Sequence, residues 1–152
     1  MQRFENNVFD TALLFEGGAM RGSYSGGAVN ALLEAEVYVD YVAGISAGAT
    51  CLVNYLARLP QRSRRCFIDV TTDPAFGGWK TAIKGKGIFD THHMYYDMTE
   101  PGAMLELDYE RFVANPAAWR VGVYNAERGE NVYFCADPVS YTHLRAHETP
   151  EH

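Results

Sequence analysis

Cysteine is scarce in this chain: Cys51, Cys66 and Cys135 are its only three in 152 residues. An odd count without framework spacing excludes a disulfide-stapled scaffold. It reads as free thiols in a reducing, cytoplasmic compartment. Long hydrophobic runs are also missing. No apolar stretch approaches the roughly 20 residues that span a bilayer. The opening Met1-Gln2-Arg3-Phe4-Glu5-Asn6-Asn7 has no apolar core, so no secretory leader is expected. Positive charge is short too. Thirteen Lys and Arg face 19 Asp and Glu, for a net charge of −6, which argues against a nucleic-acid partner. No internal repeat or low-complexity linker marks a second domain. What is present is ordinary: 47% hydrophobic and 21% charged residues, enough to bury a core without staples.

The C-terminal stretch stands apart. Residues 139–149 resemble the in-frame translation of a transposon-derived sequencing adapter. On that reading, residues 1–138 are the N-terminal part of the natural domain and residues 139–152 are a non-native tail. His143 and His147, spaced i, i+4 like helical metal ligands, then carry no metal site.

The first sixty residues alternate. Thr11-Ala12-Leu13-Leu14-Phe15 is a short apolar run ended by Glu16 and two glycines, and reads as a buried strand. Residues 23–36 read as a helix with Ala28, Leu32 and Ala35 on one stripe and Val29 and Leu33 beside it. Tyr41-Val42-Ala43 reads as a second strand. Residues 47–59 read as a second helix, with Leu52, Leu56 and Leu59 on one face and Pro60 as its stop. Strand, helix, strand, helix implies a mainly parallel sheet covered by helices. Further on, Gln61-Arg62-Ser63-Arg64-Arg65 reads as a solvated helix start, and glycines 77, 78, 85 and 87 mark loops. Residues 120–126 and 131–134 read as a β-hairpin turning at residues 127–130.

Chemistry concentrates in two glycine-rich turns. Gly44-Ile45-Ser46-Ala47-Gly48 fits G-x-S-x-G between a predicted strand and a predicted helix. That context suits a nucleophile elbow, a sharp turn that holds a serine oxygen in open space at a helix N-terminus. A plainer role for Ser46 is a helix N-cap. The first turn, Glu16-Gly17-Gly18-Ala19-Met20-Arg21-Gly22, also joins a strand to a helix. Its consecutive glycines suit a backbone anion nest. The dinucleotide pattern G-x-G-x-x-G is not met, and the phosphate-loop pattern lacks its lysine. A nest facing a serine elbow makes chemical sense as an oxyanion hole. A phosphate- or nucleotide-binding module and an acyltransferase of related fold remain alternative readings.

These paired turns, at this order and spacing, resemble the patatin-like phospholipase family, in particular its bacterial cytosolic branch. The resemblance extends more loosely to about Phe134. It implies a three-layer α/β/α sandwich with a mainly parallel sheet, here truncated. It implies hydrolysis of lipid acyl esters, of phospholipase or lysophospholipase type, by a serine–aspartate dyad. Carried over by position, Ser46 is the nucleophile and the amides of Gly17, Gly18 and Ala19 form the oxyanion hole. Arg21 and Gly22 position the loop or substrate, and Gly44 and Gly48 are the elbow glycines. No cofactor, no metal and no nucleic acid are implied. The partners implied are a lipid or other acyl-ester substrate and a transient membrane-surface contact.

Two departures from the family pattern stand out. Ala19 replaces the third loop glycine, which a negative φ would tolerate. More seriously, the dyad aspartate of the family lies in an Asp-Gly motif, and this sequence has no Asp-Gly pair. His92 and His93 offer an alternative base for a triad. The nearby aromatic residues Phe89, Tyr95 and Tyr96, with Met94, read as core or lid.

Overall fold

The computed structural model describes residues 4–85 and 87–136; residues 139–152 with their histidines, and Lys86, lie outside them. Four strands form one sheet in the order β1 (Val8–Phe15), β2 (Val39–Ile45), β3 (Ala118–Asn125), β4 (Glu130–Ala136). The first three are parallel and β4 runs antiparallel to β3. Helix α1 (Gly22–Glu34) joins β1 to β2, and β2 feeds α2 (Ala47–Leu56). The expected α/β class with a mainly parallel sheet is the one observed.

One sheet face is sealed by these helices. Phe15 and Val42 from the strands meet Val29 and Leu33 of α1 and Leu52, Tyr55 and Leu56 of α2 in one buried cluster. Leu52 and Leu56 are fully buried, each stabilising the fold by about 1.5–3 kcal/mol. Tyr55 is buried without waste: its hydroxyl donates to the Val37 carbonyl and accepts from the Val39 amide, at 2.7 and 2.9 Å, so α2 holds the start of β2. On the other face Leu14, Ile45, Tyr124 and Tyr133 are exposed.

The buried stripe of α1 differs from the expected one. It runs Gly22, Gly26, Val29, Leu33, whereas Ala28 and Ala35 are exposed. The cause is α3 (Pro60–Phe67), which the sequence reading foresaw only as a basic helix start. Its Phe67 ring lies against both glycines: a Cβ on Gly22 would come within 2.6 Å of that ring, and one on Gly26 within 3.2 Å. Small residues let the two helices approach, and aliphatic volume was the wrong guide to the seam.

Pro60 likewise starts a helix where it was expected to stop one. Helix α2 ends at Leu56, Arg58 turns the chain with φ 52, and Pro60 sits at the first turn of α3. There its missing N–H costs nothing. Arg62 of the basic cluster is not solvated. It donates to Asn54 Oδ1 at 2.6 Å and to the Leu105 carbonyl at 3.0 and 2.9 Å. This ties the main core to a smaller one of Val70, Phe76, Met98 and Leu105. Short helices α4 (Trp79–Ile83), α5 (Thr91–Tyr95) and α6 (Tyr109–Ala114) fill the stretch before β3. The β3–β4 hairpin forms where expected, with Gly129 at φ 67 and the Asn125 side chain accepting from the Glu127 and Arg128 amides.

Candidate active site

Phe15 at the end of β1 pairs with Gly44 near the end of β2, so the two glycine-rich turns leave neighbouring parallel strands at the same level. Ser46 follows directly. Its φ is 55 and ψ −124, a conformation that L residues rarely adopt and that costs of order 1–3 kcal/mol. The surroundings enforce it. A Cβ on Gly44 would come within 2.6 Å of the Gly48 carbonyl carbon, and one on Gly48 within 2.6 Å of the Phe15 carbonyl carbon. Only glycine lets β1, β2 and the start of α2 close on each other this tightly.

The N-cap role for Ser46 fails in its side chain. Ser46 occupies the position ahead of α2, but its hydroxyl makes no capping hydrogen bond. The turn is closed by backbone, Ala49 N–H donating to the Ser46 carbonyl at 2.8 Å. The side chain is therefore presented to solvent at the positive end of α2.

The first turn reaches the serine. A Cβ on Gly17 would stand 3.1 Å from Ser46 Cβ and 3.7 Å from Ser46 Oγ, so Gly17 backbone approaches where a side chain would crowd the hydroxyl. One on Gly22 would lie 3.1 Å from Ala47 Cβ, bringing the starts of α1 and α2 together. Cys51 secures this contact from below, its thiol donating to the Gly22 carbonyl at 3.8 Å. Gly18 has φ 147 and Ala19 φ 50. The condition under which alanine would sit here without strain, a negative φ, is therefore not met. The alanine takes the left-handed conformation that glycine would take freely, at a cost of roughly 1–2 kcal/mol. The turn then tightens into a 3-10 segment, Ala19–Arg21, with Arg21 N–H donating to the Gly18 carbonyl at 3.0 Å.

Beside this turn lies a cavity of about 410 Å³, lined by Glu16, Gly17, Arg21, Gly22, Ser23, Tyr24 and Ser25. Arg21 and Gly22 were singled out in the sequence; Tyr24 was not, although it is the most exposed large residue here. An aromatic on the first turn of a helix that begins in a glycine nest was the available signal.

The histidines belong elsewhere. His93 Nε2 lies 2.9 Å from Asp73 Oδ2 and its Nδ1 3.1 Å from Asp97 Oδ2. His92 Nδ1 is 3.5 Å from Asp97 Oδ1. Both ring nitrogens of His93 are thus occupied by carboxylates. Hydrogen bonds to Asp73 and then Asp97 raise its pKa, and the same bond lowers that of Asp73. Among the described residues, Ser46 Oγ has no hydrogen-bond partner, histidine or carboxylate. Tyr95 and Tyr96 are exposed, not core; Met94 packs on the smaller cluster.

The family model for patatin-like phospholipase matches residues 13–146. The chain belongs to the patatin-like phospholipase family. No curated protein and no solved structure matches it. The match takes in both turns of this patatin-like chain, β2 to β4 entire, and continues past Pro138 to Ala146. Family membership supports a lipid hydrolase; the serine elbow and the loop beside it are the features of this patatin-like chain on which such chemistry would rest.

Proposed function

We propose that this chain carries the nucleophile and oxyanion hole of a serine hydrolase that cleaves lipid acyl esters, of phospholipase or lysophospholipase type, in the cytoplasm. One observation carries the reading: Ser46, strained and uncapped at the start of α2, stands against the backbone of Gly17.

In the proposed reaction Ser46 Oγ attacks the ester carbonyl while a base takes its proton. The carbonyl oxygen becomes an oxyanion, held by the amides of Gly17, Gly18 and Ala19 and by the positive end of α2. Collapse expels the lipid alcohol, which receives the proton, and leaves the acyl group on Ser46. Water then attacks the acyl-enzyme, giving up its proton to the same base, and Ser46 regains a proton as the fatty acid leaves. The cavity bounded by Arg21 and Tyr24 would hold the part of the substrate beyond the ester, with Arg21 positioning the loop or a substrate phosphate. The base is an aspartate of an Asp-Gly motif outside this sequence, since a serine alcohol is a poor nucleophile without one. Residues 1–138 then act as the nucleophile half of the catalytic domain, and residues 139–152 have no part in it. Free thiols at Cys51, Cys66 and Cys135 support a reducing compartment.

The test is a fluorophosphonate probe and an acyl-ester assay on a longer protein that adds the downstream aspartate. The probe should mark Ser46, as located by mass spectrometry, and Ser46→Ala should abolish turnover. Labelling at another residue, or full turnover by Ser46→Ala, would sink the proposal. The 152-residue chain alone should hydrolyse esters negligibly.

A further inference from the structure

The chain's three lysines, Lys80, Lys84 and Lys86, all fall within seven residues, and residues 74–89 contain no Asp or Glu. In a protein of net charge −6 this is a local reversal of sign. The same stretch exposes its largest apolar side chains. Trp79 is 87% exposed, Ile83 84% and Ile88 67%, with Phe89 also exposed. Trp79 and Ile83 are four apart on α4 and so share one face.

This presentation is built. The backbone closes on itself: Gly77 bridges Phe89, Gly78 N–H donates to the Ile88 carbonyl at 2.7 Å, and Thr81 Oγ1 donates to the same carbonyl at 2.9 Å. A Cβ on Gly77 would meet the Ile88 carbonyl oxygen at 2.6 Å, so the approach depends on glycine. The Phe89 ring leans on Phe76 of the smaller core at 5.3 Å. Asp90 is buried and caps α5 through the His93 amide, while Asp73 and Asp97 are drawn to the His93 ring.

We infer that the exposed surface of α4 with Ile88 and Phe89 docks this protein onto an anionic lipid surface. Exposed tryptophan and aliphatic side chains, in a stretch whose sequence carries three lysines and no carboxylate, are what an interfacial segment needs: apolar groups to enter the headgroup boundary, and cations to meet lipid phosphates. Phosphates alone would give no use to Ile83 and Ile88, which sets a membrane above a nucleic acid. The choice of occupant rests on the lipid-hydrolase reading; the exposed patch does not.

The test uses the 152-residue chain and two vesicle preparations, phosphatidylcholine alone and phosphatidylcholine with roughly one-third phosphatidylglycerol. Flotation should recover the chain with the anionic vesicles and leave it behind with the neutral ones. Tryptophan emission should shift to the blue, and the shift should survive Trp119→Phe, which leaves Trp79 as the only reporter. Trp79→Ser with Ile83→Ser should abolish flotation while circular dichroism stays unchanged. Lys84→Glu should weaken binding at least about fivefold. Equal flotation by the doubly substituted chain, equal binding to neutral vesicles, or no binding at all would overturn the proposal. So would concentration-dependent self-association that the double substitution removes, which would make the patch a contact between copies. Ser46→Ala must float like the parent chain, so vesicle binding and probe labelling at Ser46 fail separately.

Discussion

The carbonyl of Phe15 occupies the space that a side chain on Gly48 would need. The end of β1 is thereby locked onto the first turn of α2, and Ser46 is held between them. A methyl group at Gly48 must push backbone rather than a movable side chain. Gly48→Ala should therefore cost several kcal/mol, at or above the roughly 1–3 kcal/mol of ordinary overpacking, by urea denaturation. Gly27→Ala is the control. Nothing lies within 4 Å of its Cβ position in α1, and that substitution should stabilise by about 0.5–1 kcal/mol.

The backbone strain at Ser46 makes a second prediction. Glycine adopts φ 55, ψ −124 without the side-chain penalty, so Ser46→Gly should raise stability by about 1 kcal/mol. Ser46→Ala keeps the Cβ and the strain and should change stability little. If the two variants melt alike, the turn is not strained as described.

The His93 ion pairs predict a pH window. The histidine pKa is raised above 6.5, chiefly by the Asp73 hydrogen bond, so its contribution is complete below pH 6.5 and fades as pH rises through the raised value. The Asp73 pKa is lowered below 3.8, so its contribution is present above pH 3.8 and fades as pH falls through the lowered value. The stability advantage of the parent chain over His93→Gln should therefore be largest between those limits and shrink at pH 8.5. An advantage that grows from pH 6 to pH 8.5 would contradict the pairing.

Thiol reactivity should follow burial. Cys51 is fully buried, and desolvation pushes its pKa up to about 11; burial also raises that of Cys66. Thiolate is the reactive form. Iodoacetamide at pH 8 should modify Cys135 first and reach Cys51 only after unfolding, as read by peptide mass spectrometry.

Much of the site was legible because it is local. Glycines at 17, 44 and 48 mark the turns on either side of Ser46, and the strands before them are plain apolar runs. The stretch from Pro60 to Ala117 was not legible. Its helices are short, and what fixes them is long-range: Phe67 in the notch left by Gly22 and Gly26, and Arg62 reaching Leu105. A stripe of glycine carries no hydrophobic period, and an arginine destined for burial looks in sequence like any surface cation. The positive φ of Ala19 was not legible for a related reason. The loop must turn back toward Ser46 within a few residues, and that demand overrides the preference of alanine.

The kink in β1 bears on how copies of this chain would meet. The β1–β2 register slips between Val8 and Ala12, where Asp10 has φ 57. As an outer strand of the sheet, β1 would otherwise offer a straight row of amides and carbonyls to another molecule. The slip and the aspartate break that row. Among the described residues β4 is the opposite margin, paired regularly with β3 from Glu130 to Ala136 and exposing Tyr133 and Phe134. Fibre growth or strand exchange, where it occurs, should therefore start along β4 and spare β1.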